Sequence, residues 1–182
     1  RLGAQIYEFP WCDDFSAARN ECLKQASGDY VMWLDADDRL TPENVERLRG
    51  LLATLDATPR AYLMNTACWS EFSCEGYTLI SHPRLFARAT GMKWQGRVHE
   101  QLRAAEHGTP VEAVFSDVRI DHHGYAEQAM QQRKLQRNVR LLRMDFAVDP
   151  DNVSTLLHLG LTYYQLRRWD EARKYLSRLV AI

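Results

Sequence analysis

The sequence is poor in cysteine, with four among 182 residues, Cys12, Cys22, Cys68 and Cys74. None stands in a CxxC pair, which excludes zinc-site spacing, and the density is far below that of a small secreted scaffold held by disulfides. Reduced thiols in a cytoplasmic protein are expected. Also lacking is any apolar run approaching the roughly 20 residues that cross a bilayer, and the opening residues carry no signal-peptide pattern. Charge of one sign is lacking too, because 23 Lys and Arg face 24 Asp and Glu. No global field recruits nucleic acid or an anionic membrane, so recognition has to come from local sites. What is present, 46% hydrophobic residues, is enough to bury a core.

The chain opens on "RLGAQIYEFPW", which reads as a strand already in progress, and closes on "SRLVAI", the apolar end of a helix. Both ends are expected to be cut from a longer protein. "AQIYEF" is β-rich and closed by Pro10. In "DDFSAARNECLKQA", Ala17, Ala18, Cys22, Leu23 and Ala26 recur at helical spacing, with Ser16 as the expected N-cap. "YVMWL" is a continuous apolar run, the pattern of a strand covered on both faces of a largely parallel sheet. It runs into Asp35, Asp37 and Asp38. Thr41, Pro42, Glu43 and Glu46 then start a helix to about residue 55.

From 60 to 120 the pattern changes to short β-like pieces, "AYLMNTACW", "GYTLI", "RLFAR" and "VFSDVRI". After "DHHGY" the periodicity predicts helices over about 126–148, 153–165 and 169–180, with a break at "DPDN". "LLHLGLTYYQLRRWDEARKYLSRL" resembles a tetratricopeptide unit through Leu156, Leu159, Gly160, Tyr163 and Ala172. Such a unit cannot bury its apolar face alone. It stacks on the preceding helix or on further repeats.

Three carboxylates within four positions repel one another unless water or a cation meets them. Oxygen ligands favour a hard divalent ion, and such ions are often shared with substrate phosphates. The cluster also sits where open α/β sheets bind ligands, beyond the carboxyl end of a strand. A solvated acidic turn that caps the next helix is the plainer reading. An apolar strand ending in Asp-x-Asp also opens haloacid-dehalogenase-type phosphatases, whose first Asp attacks phosphorus. That pattern continues with Gly and then Thr or Val, where this chain has Asp38 and Arg39.

"DDFSAARNECLKQASGDYVMWLDADDRLTPE" resembles the central segment of GT-A-type family 2 glycosyltransferases: an Ala-Arg-Asn helix, Gly-Asp, an apolar strand and Asp-Ala-Asp-Asp. The resemblance continues in "HPRLFARATGMKWQGRVHEQL" and "IDHHGY". A branch that joins the transferase to tetratricopeptide repeats, with relatives among lipopolysaccharide-core and peptide glycosyltransferases, shows a similar succession. The resemblance implies an α/β fold: a partial, Rossmann-like GT-A domain over 1–125, followed by an all-α tetratricopeptide-like segment over 126–182. It implies that the first nucleotide-binding strands are missing, since residues 1–10 resemble the third. The implied reaction is a metal-dependent, inverting transfer from a nucleotide diphosphate sugar, a UDP-sugar, to a saccharide, lipid-linked or peptide acceptor.

On the same resemblance, Asp37 coordinates Mn²⁺ or Mg²⁺ at the diphosphate, Asp35 lies near the ribose or the ion, and Arg19 lies by the nucleotide. Inverting transfer needs a carboxylate to take the acceptor's proton, and Glu100 in "VHE" is the candidate base. His99 orients it or meets phosphate. In "DHHGY", His122 matches the family position and His123 is the adjacent alternative; alternation along an extended segment lets one of them face the site. An imidazole beside carboxylates suits Mn²⁺ better than Mg²⁺. Arg84 and Arg97 are candidates to offset the leaving diphosphate's charge, and Trp94 to line a sugar or acceptor pocket. Each has a plainer reading as a surface charge, a packed histidine or a core aromatic. A protein partner at the repeat is also expected. The alternative function is a catalytically inactive, transferase-like scaffold that binds that partner.

Overall fold

A computed structural model describes residues 3–69, 76–104, 111–123 and 128–182. In chain order its elements are α1 (Phe15–Lys24), β1 (Tyr30–Met32), β2 (Asp38–Arg39), α2 (Pro42–Ala53), β3 (Arg60–Trp69), β4 (Tyr77–Ala87), β5 (Lys93–Gln95), β6 (Gln101–Arg103), β7 (Glu112–His122), α3 (Gln128–Val148), α4 (Val153–Gln165) and α5 (Trp169–Val180). They gather into two compact units. One draws on described residues within 26–93 and 102–124, the other on those within 1–25, 94–101 and 125–182. Among the described residues no helix is long and apolar enough to cross a membrane.

The first unit is a sheet of order β1-β4-β3-β7-β2, in which β3 and β7 are parallel and the other neighbours antiparallel. "YVMWL" does form a strand, but a short, half-buried one at an edge of this sheet, antiparallel to β4. The largely parallel sheet expected around it is a mixed one, because β4 folds back along β3 and offers an antiparallel edge. "GYTLI" and "RLFAR" merge into the single strand β4. Pro83 interrupts neither, since it sits opposite Leu63 where β3 shifts register, and a bulge tolerates the missing N–H. Met64, Leu85, Val118 and Ile120 are buried in the core, with Leu48 and Leu51 of α2 packed on them. Each such side chain contributes about 1.5–3 kcal/mol on burial.

α2 begins as its sequence predicts, with Thr41 as N-cap and Pro42 in the first turn. Thr41 Oγ1 accepts the side-chain N–H of Asn44 at 2.8 Å, and Asn44 Oδ1 accepts the Arg119 N–H at 2.7 Å. This ties α2 to the strand that ends at His122.

In the second unit, α1 is capped by Asp14, whose carboxylate accepts the Ala17 N–H at 2.9 Å. The expected cap, Ser16, lies inside the helix, because the nearer carboxylate reaches the open N–H groups first. "AQIYEF" forms no strand, and Ile6 is 90% exposed. No described strand pairs with it, and an isolated strand has only water for its backbone groups.

α3, α4 and α5 bury Leu141, Leu142, Leu156, Leu159, Tyr163, Ala172 and Tyr175 in one core that also takes in Val98. Gly160 permits the closeness of α4 and α5: a Cβ there would lie 2.5 Å from Leu176 Cγ. The start of α3 at 126, Gly124 and Tyr125 of "DHHGY", and Cys74 lie outside the described residues.

Candidate active site

The acidic cluster is built by a turn and a strand pair. The Asp38 N–H donates to the Asp35 carbonyl at 3.0 Å, closing the turn, and β2 then sets Asp38 opposite His122 on β7. The Asp38 side chain is 0% exposed and that of Arg84 3%. Asp38 Oδ2 accepts from Arg84 Nη1 at 2.6 Å and from the Asp35 N–H at 2.8 Å. Arg84 also donates to Thr66 Oγ1 at 3.1 Å and lies 3.7 Å above the Trp33 ring. Burial pushes the Asp38 carboxyl up, but the Asp35 N–H, His122 and Arg84 outweigh it and hold the group below its ordinary value.

An ionised carboxylate can only accept, so His122 Nδ1, 2.9 Å from Asp38 Oδ1, is the donor. In the neutral ring this leaves the lone pair on Nε2, the arrangement in which a second carboxylate orients a metal-binding imidazole. Ligand atoms of Asp35, Asp38 and His122 lie within 4.8 Å of one another. Asp37 Oδ1 is 3.6 Å from His122 Nδ1, with 34% of its side chain exposed. Since Asp38 is already engaged by Arg84, His122 and the Asp35 N–H, it suits orienting His122. Asp35, Asp38 and His122 are the oxygen and nitrogen groups close enough together to meet a divalent ion, with Asp37 beside His122.

The other candidates gather on the loop 94–100, in the second unit. The Asn20 amide pairs both ways with Trp94, accepting its N–H and donating to its carbonyl, each at 2.9 Å. Ser16 Oγ donates to the Gly96 carbonyl at 2.5 Å, and the Phe15 N–H to that of Arg97 at 2.9 Å. Glu100 meets Arg19 Nε at 2.6 Å, and Arg19 lies 4.8 Å over the Trp94 ring. His99 stacks on His158 at 4.1 Å, nearly parallel. Although the residue as a whole is exposed, desolvation of the stacked ring, followed by the nearby His158, Lys134 and Arg137, pulls its pKa down to about 4.

Asp35, Asp37, Arg84 and His122 thus come together in the sheet unit, and Arg19, Arg97, His99 and Glu100 in the helical one. Of the two adjacent imidazoles, His122 lies beside Asp37 and Asp38. Arg84 is buried, with its guanidinium on Asp38 and Thr66. Arg97 is held by Asp145 and by the Asp13 carbonyl. Trp94 is 7% exposed. Sequence reasoning took Asp38 only as one of the acidic cluster and passed over Trp33, Asn20 and Asp145. One signal was available: an arginine inside the apolar strand "RLF" calls for a buried acid.

Residues 2–69 match the family model described as Glycosyl transferase family 2. The likeness to family 2 is carried by that segment of the chain. It contains Arg19, Asp35, Asp37 and Asp38. The chain as a whole is similar to the SPbeta prophage-derived glycosyltransferase SunS of Bacillus subtilis, 26% identical over 93% of this chain and 40% of that protein. A TPR repeat-containing protein of Synechococcus elongatus is 31% identical over 97% of this chain and 44% of its own length. The chain therefore spans less than half the length of these curated relatives.

Proposed function

We propose that this chain forms part of an enzyme that transfers a sugar, with inversion, from a nucleotide diphosphate sugar to a saccharide, lipid-linked or peptide acceptor. The observation that carries the reading is the buried Arg84–Asp38 pair that orients His122 beside acids of the segment that matches family 2. The printed name of the Bacillus relative, a glycosyltransferase, supports the reaction class.

Asp37 and His122, with Asp35 beside them, would hold Mn²⁺ or Mg²⁺. Such an ion supplies positive charge to the departing diphosphate when bound. Arg84 acts through Asp38, keeping the imidazole in one tautomer and orientation. Glu100, fixed by Arg19, accepts the acceptor's proton as the acceptor oxygen or sulfur bonds to the anomeric carbon. The bond from that carbon to the diphosphate oxygen breaks, and its electron pair leaves with the UDP. The helical repeat supplies the surface for a protein partner, consistent with its likeness to a repeat protein.

Calorimetric titration of UDP into the full-length protein, with and without Mn²⁺, tests the reading. Binding should require the ion and vanish in Asp37→Ala. No binding to the intact protein, or binding indifferent to metal and to Asp37, would favour the scaffold.

A further inference from the structure

Glu100 follows an unusual stretch of backbone. Gly96 has φ 94° and His99 φ 54°, and the second is a left-handed conformation that a residue with a side chain seldom adopts. Such a conformation costs of order 1–3 kcal/mol and persists only where surrounding contacts over-determine it. From α1, backbone contacts reach the loop as far as the Arg97 carbonyl, and Arg19 meets Glu100 at its far end. What holds Val98 and His99 between them comes from α3 and α4. Val98 is buried with Val139, Leu142 and Leu159, and His99 lies face to face with His158. Asp145 of α3 grips Arg97 twice: Oδ2 accepts its backbone N–H at 3.0 Å, and Oδ1 lies 3.3 Å from its Nε.

We propose that Asp145 is a positioning residue for Glu100, clamping Arg97 so that the loop turns through His99 and delivers the Glu100 carboxylate to Arg19. The helices that look like a repeat appendage then also serve as the mount of the acid-base loop. The catalytic meaning of this inference rests on the reading of Glu100 as the base. The geometric part stands apart from it. The backbone N–H of Arg97 is a donor that every substitution at Arg97 short of proline keeps, so the carboxylate at 145 is the half of the clamp that substitution can test.

The experiment separates the two parts. In the full-length protein labelled with ¹⁵N, the Nε–H resonance of Arg19, assigned with Arg19→Lys, reports its ion pair with Glu100. Glu100→Gln gives the reference for a broken pair. Asp145→Ala should move the Arg19 signal to the Glu100→Gln position. Asp145→Asn, whose amide oxygen still accepts the Arg97 N–H, should restore most of it. As a control, Asp151→Ala removes an exposed ion pair with Arg178 and should leave the signal unmoved.

UDP release from a panel of UDP-sugars should fall by about 10²-fold in Asp145→Ala with KM within about twofold, as expected for a misplaced group acting in the transition state. An unmoved Arg19 signal in a folded Asp145→Ala protein overturns the inference. If instead the signal moves but Glu100→Gln turns over normally, the assignment of Glu100 as base falls and the clamp stands.

Discussion

Arg84 and Asp38 meet at 2.6 Å in the interior of the sheet unit, 46 residues apart in the chain. Neither can be lost alone without cost. Asp38→Asn leaves a buried guanidinium short of its counter-charge, and breaking such a pair typically costs about 3–5 kcal/mol. Urea denaturation at neutral pH should show a loss of that order. The double change Asp38→Asn with Arg84→Met should recover part of it, and a single-variant loss near zero would mean the pair is not the anchor described.

His122 should govern which ion is preferred. Replacing it with Gln exchanges a nitrogen donor for an amide, and Mn²⁺ affinity should fall by about 10-fold or more while Mg²⁺, which favours oxygen, changes less. Calorimetry with each ion in the presence of UDP gives the comparison. Equal losses for both ions would argue that the imidazole is not a ligand.

Acid should destabilise the protein in two steps of known sign. His99 drops from an ordinary 6.5 to about 4 in the folded state. Between those values the unfolded chain binds a proton that the folded chain does not, so stability declines as pH falls from about 6.5 to about 4. Asp38 works lower. Its folded value lies below 3.8, so its contribution is present above that pH and is lost as pH falls through the folded value. Melts of wild type and His99→Gln at pH 7 and pH 5 should differ, with the variant losing less on acidification.

Gly160→Ala should loosen the packing of α4 on α5. Its Cβ would come within 2.5 Å of Leu176, and overpacking of this kind costs about 1–3 kcal/mol. A thermal melt followed by circular dichroism measures it. Adding Leu176→Ala should return part of the loss if the clash is the cause.

The helical end was the most legible part of the chain. The bounds of α4 and α5 follow from "DPDN", from Asn152 as cap and from apolar spacing, all of which act within a few residues. Local signals failed where partners are distant. "AQIYEF" has strand composition but no described strand beside it, and Pro83 marks a boundary only if the bulge opposite in β3 is ignored.

The site followed the same rule. Chemistry and family likeness name Asp35, Asp37 and His122, and the fold brings the three into one unit. The burial of Asp38 on Arg84 depends on the register of β2, β7 and β4. Asp145, on a helix read as an appendage, depends on a tertiary contact 48 residues long.

α1 is held largely by residues that come much later in the chain. Its Ser16 waits for Gly96, 80 residues on, and Asp13 for Arg140, 127 residues on. At about 5–20 residues per second of synthesis, the Asp13 contact becomes available roughly 6–25 s after that end of the chain is made. The strands from β1 to β7 are complete before α3 exists, so the sheet can form while α1 still lacks part of its seat. Folding of this chain is thus ordered by synthesis: the acidic cluster can assemble first, and the Glu100 loop becomes anchored on both sides only once the helices that follow it have emerged.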